Sequence, residues 1–314
     1  MDLSDGGFLI ASAPGRCGIV GNPSDMYGGH VVSASIPVRN RVQFVDKKIS
    51  QNDEDTRLID AVKSRYPALD LPGLIYHSDV PRSSGLSGST AMLASILACA
   101  LQCLNALPDL NTINGKTEFA ETLRDIERHE ANVVCGFQDA YMITFGGVQS
   151  MDFAGKHPTK KGQPAQLTSL DCELPFLLIT TGVERLSGSV HGPLSQRWLE
   201  NDPLVRKNMK ACAEIGREGH HVLVTQDWHQ LAKLMNLNQT LIQEMGGSGE
   251  AIDRLVDDCL SCGALAGKLA GAGMGGTVIA LTLNKLELEE RLRQRGYNRF
   301  LSPEKVDGVR LEDS

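Results

Sequence analysis

Apolar positions recur along this chain with two different periods, and the changes between them lay out the elements. Short apolar runs at Phe8–Ile10, Val31–Ile36 and Val42–Val45 flank glycine-rich turns and predict strands near the start. The charged stretch 46–70 carries a helical period in "DTRLIDAVKSRY", and "GLIYHSDV" after it predicts another strand. "STAMLASILACALQCLNAL" has a strong helical signature, and "KTEFAETLRDIERHEANVV" predicts a second, amphipathic helix. "MITFGGVQSMDF" reads as strands around a Gly-Gly turn. Residues 154–168, "AGKHPTKKGQPAQLT", are polar and rich in Gly, Pro and Lys, the strongest boundary signal in the chain. Beyond it come a strand, "PFLLITT", helices between about 193 and 268, a late strand, "TVIALT", and a late helix, "LELEERLRQRGY". No internal repeat is visible. Strands and helices mix without a steady βαβ alternation, which favours an α+β fold over a doubly wound parallel sheet.

Length and charge narrow the function classes. The chain has 314 residues, enough for one large domain or two ordinary ones. Against 31 basic residues stand 38 acidic ones, a net charge of −7. That balance argues against non-specific attraction to nucleic acid or anionic lipid, while leaving room for a local basic pocket. No apolar run reaches the roughly 18 residues of a membrane span. The start, "MDLSDGGFLI", lacks the basic region and apolar core of a signal peptide. Eight scattered cysteines do not suggest a disulfide framework in a chain this long. Cys99 and Cys103 fall in an apolar helical run, and Cys259 with Cys262 forms a C-x-x-C that lacks a second ligand pair for zinc. The reading is a reduced, cytoplasmic protein, with nothing in the pattern to specify an oligomeric state.

Three stretches carry candidate chemistry. "PRSSGLSGSTAML", residues 81–93, runs from small residues into a helix. Glycines let backbone N–H groups approach an anion, and a helix N-terminus adds partial positive charge. Ser87, Ser89 and Thr90 add hydroxyls for phosphate or metal. The string is not a Walker loop, which needs G-x-x-x-x-G-K-[ST]; a plain helix cap is the bland alternative. In "KLAGAGMGGTVIAL", Gly271, Gly273 and Gly276 satisfy G-x-G-x-x-G. A dinucleotide fingerprint follows a strand and opens a helix, whereas here a helical run precedes the glycines and a strand follows, so that reading is rejected. In "GFQDAYMITFGG", Asp139 lies in an otherwise uncharged stretch and is expected at a turn.

In order and rough spacing these stretches resemble the GHMP kinases. "APGRCGIVGNPSDMYGG" (13–29) resembles the family's first motif, "PRSSGLSGSTA" (81–91) its second and "KLAGAGMGG" (268–276) its third. Within the family, "GNPSD", "GFQDAYMITFGGVQSMDF" and "SGSVHGPLSQRWLEND" are most similar to glucuronokinase-like sugar 1-kinases, with heptose 7-phosphate kinases next.

The resemblance implies a two-lobed fold, an N-terminal domain over 1–170 and a C-terminal domain over 171–314, with the active site between them. It implies ATP, held by Pro81, Ser84, Gly85, Leu86, Ser87, Gly88, Ser89 and Thr90 together with Gly271 and Gly273. Magnesium would sit on Ser89 and Glu127, with Glu130 as the rival carboxylate; hard oxygen donors suit that ion. Asp139 matches the catalytic aspartate that takes or orients the acceptor hydroxyl, and Arg16 the basic residue beside it. Asn22, Ser24 and Asp25 match the substrate-binding part of the first motif. Asn22 stands where other members carry an acidic residue, which fits an anionic sugar. Arg185, His191 and Arg197 are candidates for its carboxylate, and Trp198 is expected in the core. The implied reaction is phosphorylation of an anomeric hydroxyl, D-glucuronate first. Alternatives are a heptose 7-phosphate, fucose, galactose or a mevalonate-type alcohol, or a catalytically silent nucleotide-binding regulator. The implied partner is a small-molecule sugar, with no nucleic acid and no membrane.

Overall fold

The computed structural model describes residues 9–45, 56–69, 73–160, 162–183, 188–271, 273 and 276–312. The first of its two sheets is built on a long antiparallel pair, β1 (Leu9–Val20) and β2 (His30–Val45), in register from Leu9↔Phe44 to Val20↔Val32. Register shifts at Pro14/Arg16 and Gly18/Val20 mark β-bulges in this pairing, the first beside Arg16. β3 (Gly73–Ser78) pairs with the far half of β2 and β4 (Val148–Asp152) with its near half, and β5 (Gln166–Ser169) follows β4. The second sheet runs in the order β7 (Ala266–Leu269), β8 (Thr277–Leu281), β6 (Phe176–Thr180), β9 (Phe300–Leu301). Every one of these pairings is antiparallel, as an α+β fold requires.

Helices α1 (Arg57–Arg65), α2 (Gly88–Cys103), α3 (Ile113–His129) and α4 (Gln138–Phe145) pack together beside the first sheet. α2 lies at their centre: from Thr90 to Leu101 every residue but Met92 is buried. A helix apolar on all sides must be covered on all sides, and α2 packs on β1 and β2 as well as α1, α3 and α4. α5 (Gly188–Leu199), α6 (Pro203–Thr225), α7 (Trp228–Glu244), α8 (Glu250–Ser261) and α9 (Lys285–Gln294) accompany the second sheet. α6 crosses β2 so closely that a Cβ on Gly216 would lie 1.8 Å from the His30 carbonyl oxygen. Val31–Ile36 is therefore covered on both faces, and all six of its residues, Ser33 and Ser35 included, are buried. One core cluster lies under α1 and α2; a second runs from Cys17, Val20 and Val32 into the second sheet and α6–α8. No helix among the described residues is long and apolar enough to cross a membrane.

Four sequence expectations need correction. The described parts of the three short runs near the start, from Leu9 on, belong to two long strands, because the neighbouring polar residues Ser12, Ser33 and Ser35 are buried in the sheet as well. Met142–Phe145, expected as strand, is the end of α4, buried among helices; only Val148–Asp152 is strand. Ala266–Leu269, expected as the end of a helix, is β7, so the glycine run closes a β-hairpin between β7 and β8. The dinucleotide reading still fails, now because no helix follows the glycines. Finally, the chain's end does not stay with the second sheet: β10 (Arg310–Glu312) pairs with β1, and buried Arg39 donates to the carbonyls of Asp307 and Gly308. The last residues, expected with the C-terminal domain, thus pair with the first sheet.

Candidate active site

The three motifs meet where β1, the N-terminus of α2 and the β7–β8 hairpin converge. Gly85 has φ 75°, a left-handed conformation that lets the loop over 81–87 turn tightly into α2. The hairpin lies directly on this loop: a Cβ on Gly271 would meet the Gly85 carbonyl oxygen at 2.3 Å, and one on Gly276 the Ser84 oxygen at 2.4 Å. Gly273 packs instead on the segment after α7, where a Cβ would fall 1.7 Å from the Gly247 oxygen. Within the loop, Ser84 Oγ donates to the Pro81 carbonyl and Leu86 is buried, so both side chains serve the turn. Ser87 sits at the N-cap of α2 with φ 62° and makes no side-chain cap; its buried Oγ has no partner. Helix-end N–H groups without a side-chain cap are ready for an anion.

Arg16 joins the parts. Its Nε donates to Asp139 Oδ1 at 2.7 Å and its Nη2 lies 2.6 Å from the same oxygen. Its Nη1 donates to the carbonyl oxygens of Gly85 at 2.8 Å and Ala270 at 3.2 Å. One guanidinium thus touches the phosphate-loop candidate, the hairpin and the first turn of α4. Only 5% exposed, Arg16 is no solvated strand-end charge.

A narrow cleft opens beside this pair, lined by Arg16, Asn22, Pro23, Asp25, Gly136, Gln138, Asp139 and Gly271. The Asn22–Pro23 peptide bond is cis. Asp25 Oδ2 accepts from the backbone N–H groups of Phe137 at 2.6 Å and Gln138 at 3.0 Å, which anchors the start of α4 and hence Asp139. Ser24 is fully buried, and its Oγ donates to the His30 carbonyl at 3.4 Å rather than into the cleft. Asn22 Nδ2 donates to the Gly271 carbonyl at 3.3 Å, and its Oδ1 accepts from Lys268 Nζ at 2.7 Å. Lys268 opens the third motif, 268–276, but no role of its own was legible for it in the sequence. In fact it is fully buried, and burial pushes its ammonium down to about 7.

Glu127 lies behind the start of α2. Its Oε1 accepts from Thr90 Oγ1 at 2.9 Å, while Oε2 is buried without a partner. Burial first and the Asp139 charge second push its carboxyl up to about 7, opposed by the hydrogen bond from Thr90. A magnesium ion fits this chemistry: an orphaned carboxylate oxygen, destabilised when ionised, next to hydroxyls and an open helix end. Ser89 is exposed on the first turn of α2. Glu130 pairs through Oε1 with Arg65 of α1, and its Oε2, like that of Glu127, is buried without a partner.

Of the remaining substrate candidates, only Arg197 has a described side chain. Arg185 lies outside the described residues, and His191 falls in α5 at a position whose side chain is not described. Arg197 ties helices together: Nε donates to Asp202 Oδ2 at 2.8 Å, and Nη1 to the Met245 carbonyl at 2.7 Å, at the end of α7. Trp198 is partly buried, stacked under the Arg206 guanidinium at 3.6 Å and beside Tyr27. Its surroundings are those of packing.

Comparison with known proteins gives the site a context. Residues 56–147 match the family model described as GHMP kinases N terminal domain, and residues 217–298 the one described as GHMP kinases C terminal. The chain is 28% identical to "Glucuronokinase 1" of Arabidopsis thaliana, over 95% of this chain and 92% of that protein. It is 26% identical to a "D-glycero-alpha-D-manno-heptose 7-phosphate kinase" of Campylobacter jejuni, over 92% of this chain and 94% of that one. In fold it is similar to the Lactococcus lactis galactokinase solved with galactose, with a TM-score of 0.76 at 16% identity, covering 96% and 95% of the two chains.

Proposed function

The chain belongs to the GHMP kinase family, and on that premise we propose that it transfers the γ-phosphoryl group of ATP to the anomeric hydroxyl of a sugar, D-glucuronate first, giving glucuronate 1-phosphate. One observation carries the reading: the Arg16 guanidinium touches Asp139, the 81–87 loop and the β7–β8 hairpin at once. In this proposal the ATP phosphates lie against the N-terminus of α2, held by N–H groups of Gly88, Ser89 and Thr90. The acceptor occupies the cleft between Asn22 and Asp139. Its hydroxyl oxygen attacks the γ-phosphorus, the bond from that phosphorus to the β–γ bridging oxygen breaks, and ADP leaves. Asp139 takes the hydroxyl proton or orients the hydroxyl, and Arg16 holds the Asp139 carboxylate while facing the charge that develops on the transferring group. Ser89 and Glu127 would hold magnesium, which when bound neutralises phosphate charge and aligns its oxygens.

Similarity over nearly the full length to the Arabidopsis glucuronokinase, and the amide of Asn22 in the cleft, favour an acceptor bearing a carboxylate. Similarity to the Campylobacter protein favours a second candidate, a heptose phosphate, which is also anionic. The test is a panel of sugars, uronic acids and sugar phosphates assayed for ATP consumption, with the product position read by phosphorus NMR. Glucuronate should lead, with phosphate on the anomeric oxygen. A neutral sugar or a heptose phosphate leading by a wide margin would replace the acceptor; no ATP consumption with any of them would remove the sugar-kinase reading.

A further inference from the structure

Lys268 is a buried amine without an anionic partner, and that burial disfavours its charged form. Its Nζ donates to Asn22 Oδ1 and to the Leu269 carbonyl, each at 2.7 Å, and among the described residues no carboxylate pairs with it. The ionisable groups that face it are Arg16 and the thiols of Cys17 and Cys212. Burial pushes both thiols up to about 12, so they stay neutral, and Arg16 repels. From α7, the amides of Asn238 and Gln239 bond to the backbone of Asn22 and Leu269, the two residues that Lys268 Nζ contacts. An ammonium group in such a place is costly unless something supplies negative charge.

Asn22 connects this charge to the cleft. Lys268 Nζ donates to Asn22 Oδ1, which leaves the amide with Nδ2 on its other side. Nδ2 has two protons, and among the described residues it makes a single contact, the 3.3 Å bond to the Gly271 carbonyl. Asn22 lines the cleft together with Arg16 and Asp139. A chain from ammonium to amide to acceptor polarises each link, so the amide donor is strengthened by the charge behind it.

We propose that Lys268, acting through the amide of Asn22, biases the acceptor cleft toward a negatively charged group, so that the pair selects a carboxylate-bearing sugar over its neutral counterpart. The inference rests on the sugar-kinase reading above and adds the residues that read the acceptor's charge. Lys268 is a positioning residue: it sets which face of Asn22 meets the cleft.

The test is Asn22→Asp, which keeps size, gives Lys268 an internal counter-ion and turns an acceptor oxygen toward the cleft. Parent and variant are compared on glucuronate and on glucuronamide, its neutral isostere. The KM for glucuronate should rise roughly ten- to a hundred-fold, the size of one hydrogen bond to a charged group, and that for glucuronamide far less. Lys268→Met, checked for folding by thermal melting, should lower the same preference through KM for glucuronate, more than through kcat. A parent that handles both acceptors equally overturns the anionic-acceptor reading. A parent that prefers glucuronate, with either folded variant keeping that preference, overturns only the role given to Lys268 and Asn22.

Discussion

Replacing Asp139 by Asn separates catalysis from architecture. The amide keeps the size and an oxygen able to accept from Arg16 Nε, which now lies 2.7 Å from Oδ1. Arg16 also keeps its bonds to the Gly85 and Ala270 carbonyls, so the contact between loop and hairpin should survive. What disappears is the negative charge and the proton acceptor. Removing one partner of a fully buried ion pair costs about 3–5 kcal/mol. Here the Asp139 side chain is 24% exposed and the amide still accepts, so roughly 1–2 kcal/mol is expected. At about 2–4 °C per kcal/mol for a chain this long, the melting temperature should fall by a few degrees. Loss of general-base or orienting function should lower kcat by roughly 10²–10⁴-fold. The measurements are steady-state kinetics with saturating ATP and sugar, nucleotide affinity by calorimetry, and a thermal melt of each protein. Near-parental turnover in the folded variant would take Asp139 out of the reaction. Lost nucleotide binding would mean instead that the Arg16–Asp139 pair mainly builds the loop.

Other perturbations test single parts. Asp25→Ala removes the acceptor for two N–H groups at the start of α4 and should cost about 0.5–2 kcal/mol; lower kcat with a lower melting temperature is expected, and a full-activity, full-stability variant would show that α4 does not need this anchor. Gly271→Ala puts a methyl group 2.3 Å from the Gly85 oxygen, so the hairpin must draw back from the loop; KM for ATP should rise several-fold in kinetic assays, and an unchanged value would separate the hairpin from nucleotide binding. Glu127 has its folded pKa raised to about 7 from 4.5, chiefly by burial, so its contribution to stability is fully present below about 4.5 and is lost as pH rises through about 7. That contribution is on the order of 3 kcal/mol, and melts of the ligand-free protein between pH 5 and 8, approximate limits chosen to bracket that titration, should show Glu127→Gln lacking it; parallel pH curves for parent and variant would sink the assignment.

How much of this was legible depended on whether a residue's chemistry was local. α2 was readable because a helix apolar on every side leaves an unmistakable run from Ala91 to Leu101. The two glycine stretches were readable because glycine is required where Gly271 and Gly276 lie on the Gly85 and Ser84 carbonyls. Met142–Phe145 misled, since its β-branched and aromatic residues suit a strand, yet tertiary packing made it helix. Ala266–Leu269 misled for the opposite reason: the helical period of α8 ran on into a four-residue strand too short to show alternation. Asp25 was named from the first motif and Lys268 fell inside the third, but the contacts each makes were out of reach. Whether a carboxylate caps a helix 112 residues away, or an ammonium is buried behind an asparagine 246 residues away, is decided by contacts that leave no periodic trace.

Arg16 shows why the type of cation matters here. Its guanidinium serves three acceptors in three segments: Asp139 from α4, Gly85 from the loop and Ala270 from the hairpin. A planar fork can do this because its donors point in fixed, divergent directions. Lysine at the same place carries the same charge on one nitrogen. Anchored on Asp139, it would leave at least one buried carbonyl without a donor, at a cost of about 1–3 kcal/mol. Arg16→Lys should therefore lower the melting temperature by several degrees and raise KM for ATP, because the loop and hairpin lose their shared donor. It should also lower kcat, because Asp139 loses its two-nitrogen hold. If the charge alone mattered, Arg16→Lys would keep most of its activity and Arg16→Met would lose it. Equal, severe losses in both, with the hairpin-dependent KM for ATP raised in both, are expected from the fork. A lysine variant with parental KM for ATP would refute it.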